Sequence, residues 1–153
     1  MKHRQIRLLA HNVRSLWNVG SFFRTADAMN VEKIYLTGYT GHPPRKEITK
    51  TALGAEETVD WEKAPEPLPL LKSLQEDGWE LVALELTSKS RNIHLFKPSD
   101  KVCLIVGHEL TGVPEDVLAI CDSIVQIPML GKKESLNVAV AAGIALYSLR
   151  IQP

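Results

Sequence analysis

Three short segments of the 153-residue chain carry side chains suited to chemistry. The first is Asn12-Val13-Arg14-Ser15-Leu16-Trp17-Asn18-Val19-Gly20-Ser21-Phe22-Phe23-Arg24. A loop rich in Asn and Gly that opens a helix leaves amide N–H groups and a positive dipole end free for a phosphate, with Asn18 or Ser21 as the expected cap. Arg24 then falls about one turn inside that helix, on the side of Ala28, where it can reach back over the helix start. Taken alone, the same residues also describe a capped helix with one surface arginine.

The second segment, Gly107-His108-Glu109-Leu110-Thr111-Gly112-Val113-Pro114, follows the apolar run Val102–Val106. Gly107 has no Cβ and would let a ligand come close to a strand end. Glu109 is placed to pair with Arg24 or to accept a hydrogen bond from a ligand. His108-Glu109 opens like a zinc-protease helix, but the second His would fall at Gly112, so no metal is expected. The plainer alternative is a turn ahead of a helix begun by Pro114. The third segment, Ile127-Pro128-Met129-Leu130-Gly131-Lys132-Lys133-Glu134-Ser135-Leu136-Asn137-Val138, leaves a strand at a proline and enters a long apolar helix at Ser135 or Asn137. By itself it is a capping site. The chain has no G-x-G-x-x-G, G-x-x-x-x-G-K-[ST] or G-x-S-x-G pattern, which disfavours dinucleotide binding, P-loop chemistry and a serine nucleophile.

Short apolar runs alternate with helical patterns and give these segments their frame. Strands are expected at Ile6–Leu9, Lys33–Thr37, Leu81–Leu86, Val102–Val106 and Ile124–Ile127. Helices are expected at Ser21–Met29, Pro44–Ala52, Leu68–Glu76, Pro114–Ile120 and Asn137–Arg150. Several strands are apolar throughout, as strands covered on both faces must be, so the alternation predicts an α/β fold with a parallel sheet flanked by helices. Ligands then bind outside the carboxyl ends of the strands, at the loops after Leu86, Val106 and Ile127.

A composition of 44% apolar and 24% charged residues is that of one globular domain over residues 1–153. Eighteen basic and eighteen acidic residues cancel, yet residues 1–50 hold nine Lys/Arg against three Asp/Glu and the remainder nine against fifteen. A basic end of this kind suits a polyanionic partner, although uneven charge is more often a solvated surface. Cys103 and Cys121 make no disulfide framework, and Cys103 is expected as a small buried hydrophobe. Met1–Gln5 lacks a signal-peptide apolar region, and the stretch Leu136–Leu149 is broken by Asn137, Gly143 and Ser148 and too short to span a bilayer. A cytoplasmic protein with no membrane partner is therefore expected. The last helix is apolar on nearly every side: Val138, Ala141, Ala145 and Leu149 on one face, Val140, Ile144 and Tyr147 on another. More than its own sheet must cover it, which predicts a homodimer.

Taken together and in order, the three segments resemble the SpoU (TrmH-like) family of SPOUT RNA ribose 2′-O-methyltransferases. The resemblance rests on Asn18 with Arg24 six residues later, on Gly107-x-Glu109-x-x-Gly112, and on Ile127-Pro128-Met129-x-Gly131 followed by Ser135-Leu136-Asn137. It spans about 120 of the 153 residues. One departure is Asn30, where the family has Gly in the turn after the first helix; Asn tolerates the left-handed conformation. The chain also shows no added RNA-binding domain of the kind many relatives carry. The resemblance implies a C-terminal trefoil knot, S-adenosylmethionine as cofactor, and an RNA substrate, with tRNA favoured over rRNA. It implies a cofactor site at Leu84, Gly107, Ile127, Met129 and Leu136, and catalytic residues Arg24, Asn18, Glu109, Ser135 and Asn137. Lys2, Arg4, Arg7, Arg14, Arg45 and Lys46 form the expected RNA track, with Trp17 able to stack on a base. Two other readings are an RNA-binding module without catalysis and a SPOUT enzyme that methylates a base nitrogen through an acidic general base.

Overall fold

Along β1 (Gln5–His11), Ile6, Leu8 and Ala10 point to one side of the sheet and Leu9 to the other, and all four are buried. The same alternation runs through β2 (Lys33–Thr37), β4 (Glu80–Leu84) and β6 (Lys101–Val106). Ile34, Leu36, Val82, Val102 and Leu104 lie on the first side, under α1 (Leu16–Ala28), α2 (Lys46–Ala52) and α5 (Val138–Ile151). Leu9, Tyr35, Leu81, Cys103 and Ile105 lie on the second, under α3 (Pro67–Glu76) and α4 (Glu115–Ile120). These strands are apolar throughout because both faces are covered. Cys103 is fully buried, and desolvation pushes its thiol pKa up to about 12, so it serves as a small hydrophobe.

The structure, a computed structural model, describes residues 3–153. Seven strands form one sheet in the order β3-β2-β1-β6-β4-β7-β5, and every pairing is parallel. Two of its strands have no apolar signature: β3 (Asp60–Ala64) is a polar edge strand, and β5 (Arg91–Asn92) is only two residues long. The last strand is β7 (Ser123–Gln126). After β3 the chain crosses to the far half of the sheet. It then places β6 between β1 and β4, and β7 between β4 and β5. The carboxyl ends of β6, β4 and β7 thereby become neighbours, although long stretches of chain separate them.

One helix start lies well away from expectation. Helix α1 begins at Leu16, not Ser21, because the Ser15 side chain accepts the Asn18 amide at 3.2 Å and caps it. Neither Asn18 nor Ser21 is the cap. Phe22 and Phe23 anchor this helix in the core, and truncating either to Ala would cost roughly 3–5 kcal/mol. The turn after α1 holds Asn30 at φ +54°, the left-handed conformation expected of it. Helix α5 is capped by Asn137, whose Oδ1 accepts from Ala139 (2.8 Å) and Val140 (3.3 Å). At the opposite end of α5, the Arg4 guanidinium donates to the carbonyls of Leu149 (2.6 Å) and Gln152 (2.9 Å). Among the described residues no helix is long and apolar enough to cross a membrane.

Candidate active site

The neighbouring ends of β6, β4 and β7 open onto a cleft of about 360 Å³, within the range of small-ligand sites. Its walls are the loop 107–112 after β6, residues 84–86 at the end of β4, and the 126–136 segment between β7 and α5. The loop after β6 is self-closed: the His108 amide donates to the Gly112 carbonyl at 3.2 Å, and the Gly112 amide returns the bond at 2.9 Å. A Cβ on Gly107 would strike the Gly112 carbonyl, so the fold-back of its own loop already requires glycine here. Gly112 is fixed twice over, by φ +74° and by the Glu85 carboxylate lying where its Cβ would be. Glu85 accepts the Val113 amide at 2.8 Å and so ties the end of β4 to this loop. Glu85 belongs to none of the three segments above; its one signal in the sequence is an acidic residue directly after an apolar strand, at the carboxyl edge.

Glu109 leaves the loop towards α1. Its Oε1 accepts the Arg14 amide at 2.9 Å, and its Oε2 accepts the Ser15 amide at 2.8 Å and Asn18 Nδ2 at 3.3 Å. Desolvation raises the pKa of this carboxyl. The hydrogen bonds from Arg14, Ser15, its own amide and Asn18 together outweigh that, and hold it below the usual glutamate range. Asn18 Oδ1 in turn accepts Asn137 Nδ2 at 3.3 Å. Glu109, Asn18 and Asn137 thus form one hydrogen-bonded chain that joins the β6 loop, the start of α1 and the cap of α5.

The expected pairing of Glu109 with Arg24 does not occur, because both carboxylate oxygens are taken by the α1 start. Arg24 lies eight residues beyond Leu16, roughly 12 Å along the axis at 1.5 Å per residue, not one turn inside the helix. It is exposed and does not line the cleft of its own chain. The five residues expected at a cofactor, Leu84, Gly107, Ile127, Met129 and Leu136, all line the cleft, together with Glu109 and Ser135. Asn18 and Asn137 line an adjoining groove between α1 and α5.

The expected basic track shortens. Arg4 is spent on carbonyls at the amino end of the sheet, and Arg7 pairs with Glu32 at 2.8 Å and lies over the Trp79 ring. Lys2 lies outside the described residues. Arg14, Arg45 and Lys46 stay exposed, and Lys50 joins them. His108 accepts the Leu110 amide (3.0 Å) and the Thr111 amide (3.2 Å) at Nδ1, so its neutral ring carries the proton on Nε2.

The model of the SpoU rRNA Methylase family matches residues 5–147. The chain is 32% identical over 152 residues to the tRNA (guanosine(18)-2′-O)-methyltransferase of Aquifex aeolicus, covering 99% of this chain and 71% of that one. It is 31% identical over 145 residues to a 23S rRNA (guanosine-2′-O-)-methyltransferase of Neisseria meningitidis, covering 95% and 58%. Among solved structures, the AdoMet-bound rRNA methyltransferase of Sinorhizobium meliloti superposes with a TM-score of 0.90 at 28% identity, covering 97% of this chain and 56% of that one. A structure described as addressing 2-OH methylation of C/U34 on tRNA superposes at 0.83 with 25% identity, covering 95% and 94%.

Proposed function

Because the chain belongs to the SpoU RNA methylase family, we propose that its cleft binds S-adenosylmethionine and that the protein methylates a ribose 2′-oxygen of RNA, tRNA in particular. The observation that carries this reading is the convergence of three strand ends, remote in sequence, on one cleft lined by the cofactor positions. The cleft has the chemistry such a cofactor needs. Leu84, Ile127 and Leu136 offer an apolar slot for adenine, main chain at Gly107 and Met129 offers polar partners, and Glu85 and Glu134 add negative charge for a cationic donor. S-adenosylmethionine supplies a methyl group already activated on a sulfonium.

The remaining work is alignment and charge. Arg24 stabilises the oxyanion that develops at the ribose and holds an adjacent phosphate; a guanidinium offers N–H donors only and so acts through charge and hydrogen bonds. Ser135 and Asn137 orient the substrate, and Glu109 with Asn18 fixes the start of the helix that carries Arg24. The working unit is a homodimer. Val140, Ile144 and Tyr147 of α5 are about half exposed and flank the α1–α5 groove, and a second copy covers this apolar face. Insertion of β7 between the two strands joined by the 85–90 connection supports the trefoil knot that the family likeness implies. We take tRNA as the substrate on the likeness to the Aquifex tRNA enzyme, 32% identical, and to the structure concerned with C/U34 of tRNA, 25% identical. We place this activity in the cytoplasm.

The test is transfer of labelled methyl from S-adenosylmethionine to unmodified tRNA and rRNA, with the product mapped by alkali-resistant linkages. Arg24→Ala is expected to reduce transfer about 100- to 1,000-fold and to leave donor affinity, read by calorimetry, unchanged. Label on a base nitrogen, or a chain that does not bind the donor, would overturn the reading.

A further inference from the structure

Beside the cofactor cleft lies a second groove, of about 510 Å³, formed by the start of α1, Glu47 of α2 and the loop after β6. His108, Glu109 and Leu110 line both spaces, so this loop is a common wall. We propose that the groove is a base-binding subsite, which holds an unstacked base of the RNA next to the methylated nucleotide. The proposal rests on the RNA methyltransferase reading above.

Trp17 supplies the first argument. A tryptophan next to an apolar helix is normally consumed by packing, but this one is 48% exposed and lines the groove. The Lys50 ammonium sits 5.6 Å from its ring centroid. Leu16 and Leu110 add apolar wall, giving a base both a stacking face and a slot. Glu47 supplies the second argument: its Oε2 is buried without a hydrogen-bond partner among the described residues, and Arg45 Nε approaches only to 3.9 Å. Its other oxygen, Oε1, is not enclosed in this way and accepts no hydrogen bond among the described residues, so at the groove wall it can take an N–H of a base edge. The third is charge. Arg14 lines this groove, Lys50 stands by Trp17 and Lys46 directly precedes Glu47; all three are exposed, and none forms an ion pair among the described residues. They would hold the phosphates on either side of a splayed base, whereas an apolar protein partner would bury their charges unpaired.

The full-length protein and its Trp17→Ala and Trp17→Phe variants decide the matter, with an unmodified tRNA transcript and a mixed-sequence hexaribonucleotide as probes. RNA is expected to quench the emission of the wild type and not that of Trp17→Phe, which keeps the other two tryptophans. Trp17→Ala should weaken RNA binding roughly 5- to 150-fold, as loss of one base–aromatic stack does, with Phe restoring most of it. S-adenosylmethionine affinity should not move. Wild-type RNA affinity in Trp17→Ala overturns the subsite, as does Trp17 emission that changes with protein concentration and ignores RNA, which would seat a second copy there. None of these readouts needs methyl transfer, so a chain that quenches on RNA but does not methylate overturns the catalytic reading alone and keeps the subsite.

Discussion

Glu109 shows how a residue can sit in a catalytic pattern and act through geometry. It touches the start of α1 rather than Arg24, and the hydrogen bonds from Arg14, Ser15, its own amide and Asn18 keep it ionised. Its folded pKa is depressed, so the stability it contributes is complete above the unfolded value of about 4.3 and is lost as pH falls through the lower folded value. The melting temperature of the wild type should therefore exceed that of Glu109→Gln by a constant margin above about pH 5, and the margin should close on further acidification. A margin that persists to the acid limit would mean that the carboxylate charge plays no part. Arg24 differs in kind. Among the described residues no ion pair holds it, as its proposed contact with the substrate requires.

Elements place these residues through their ends. Helix α1 starts five residues earlier than periodicity suggested because Ser15 caps it, and Asn18 is thereby freed to link Glu109 with Asn137. Asn137 does two jobs, capping α5 through Oδ1 and donating to Asn18 through Nδ2. Asn137→Ala removes both and should cost about 1 kcal/mol, a fall in melting temperature of roughly 2–4 °C for a chain of this size. Asn137→Asp keeps an acceptor for the cap and loses the donor, so it should melt close to wild type while methyl transfer drops. Equal melting losses in both variants would show that the link to Asn18, not the cap, carries the stability. The exposed strip Val140, Ile144 and Tyr147 belongs to the same helix and gives it a second task, facing outward.

At the scale of the whole molecule, Arg24 stands outside the cleft of its own chain. In the homodimer proposed above, the arginine of one protomer is expected to serve the cleft of the other. Mixing Arg24→Ala with the cleft-filling Leu136→Trp, each inactive alone, should then restore roughly a quarter of wild-type transfer, since half of freely exchanged dimers are mixed and each has one intact centre. No recovery would keep Arg24 with its own cleft. The sequence by itself determined the parallel α/β frame, through strands apolar on both faces. It also determined the family, through Asn18, Arg24, Glu109 and the Ser135-Leu136-Asn137 helix start, and the left-handed turn at Asn30. It did not determine that β6 and β7 insert between earlier strands, because strand order has no periodicity of its own and is fixed by which faces bury each other. For the same reason it could not assign the partners of Glu109 or leave Trp17 uncovered: each depends on chain segments that meet only in space, and a local pattern records nothing of them.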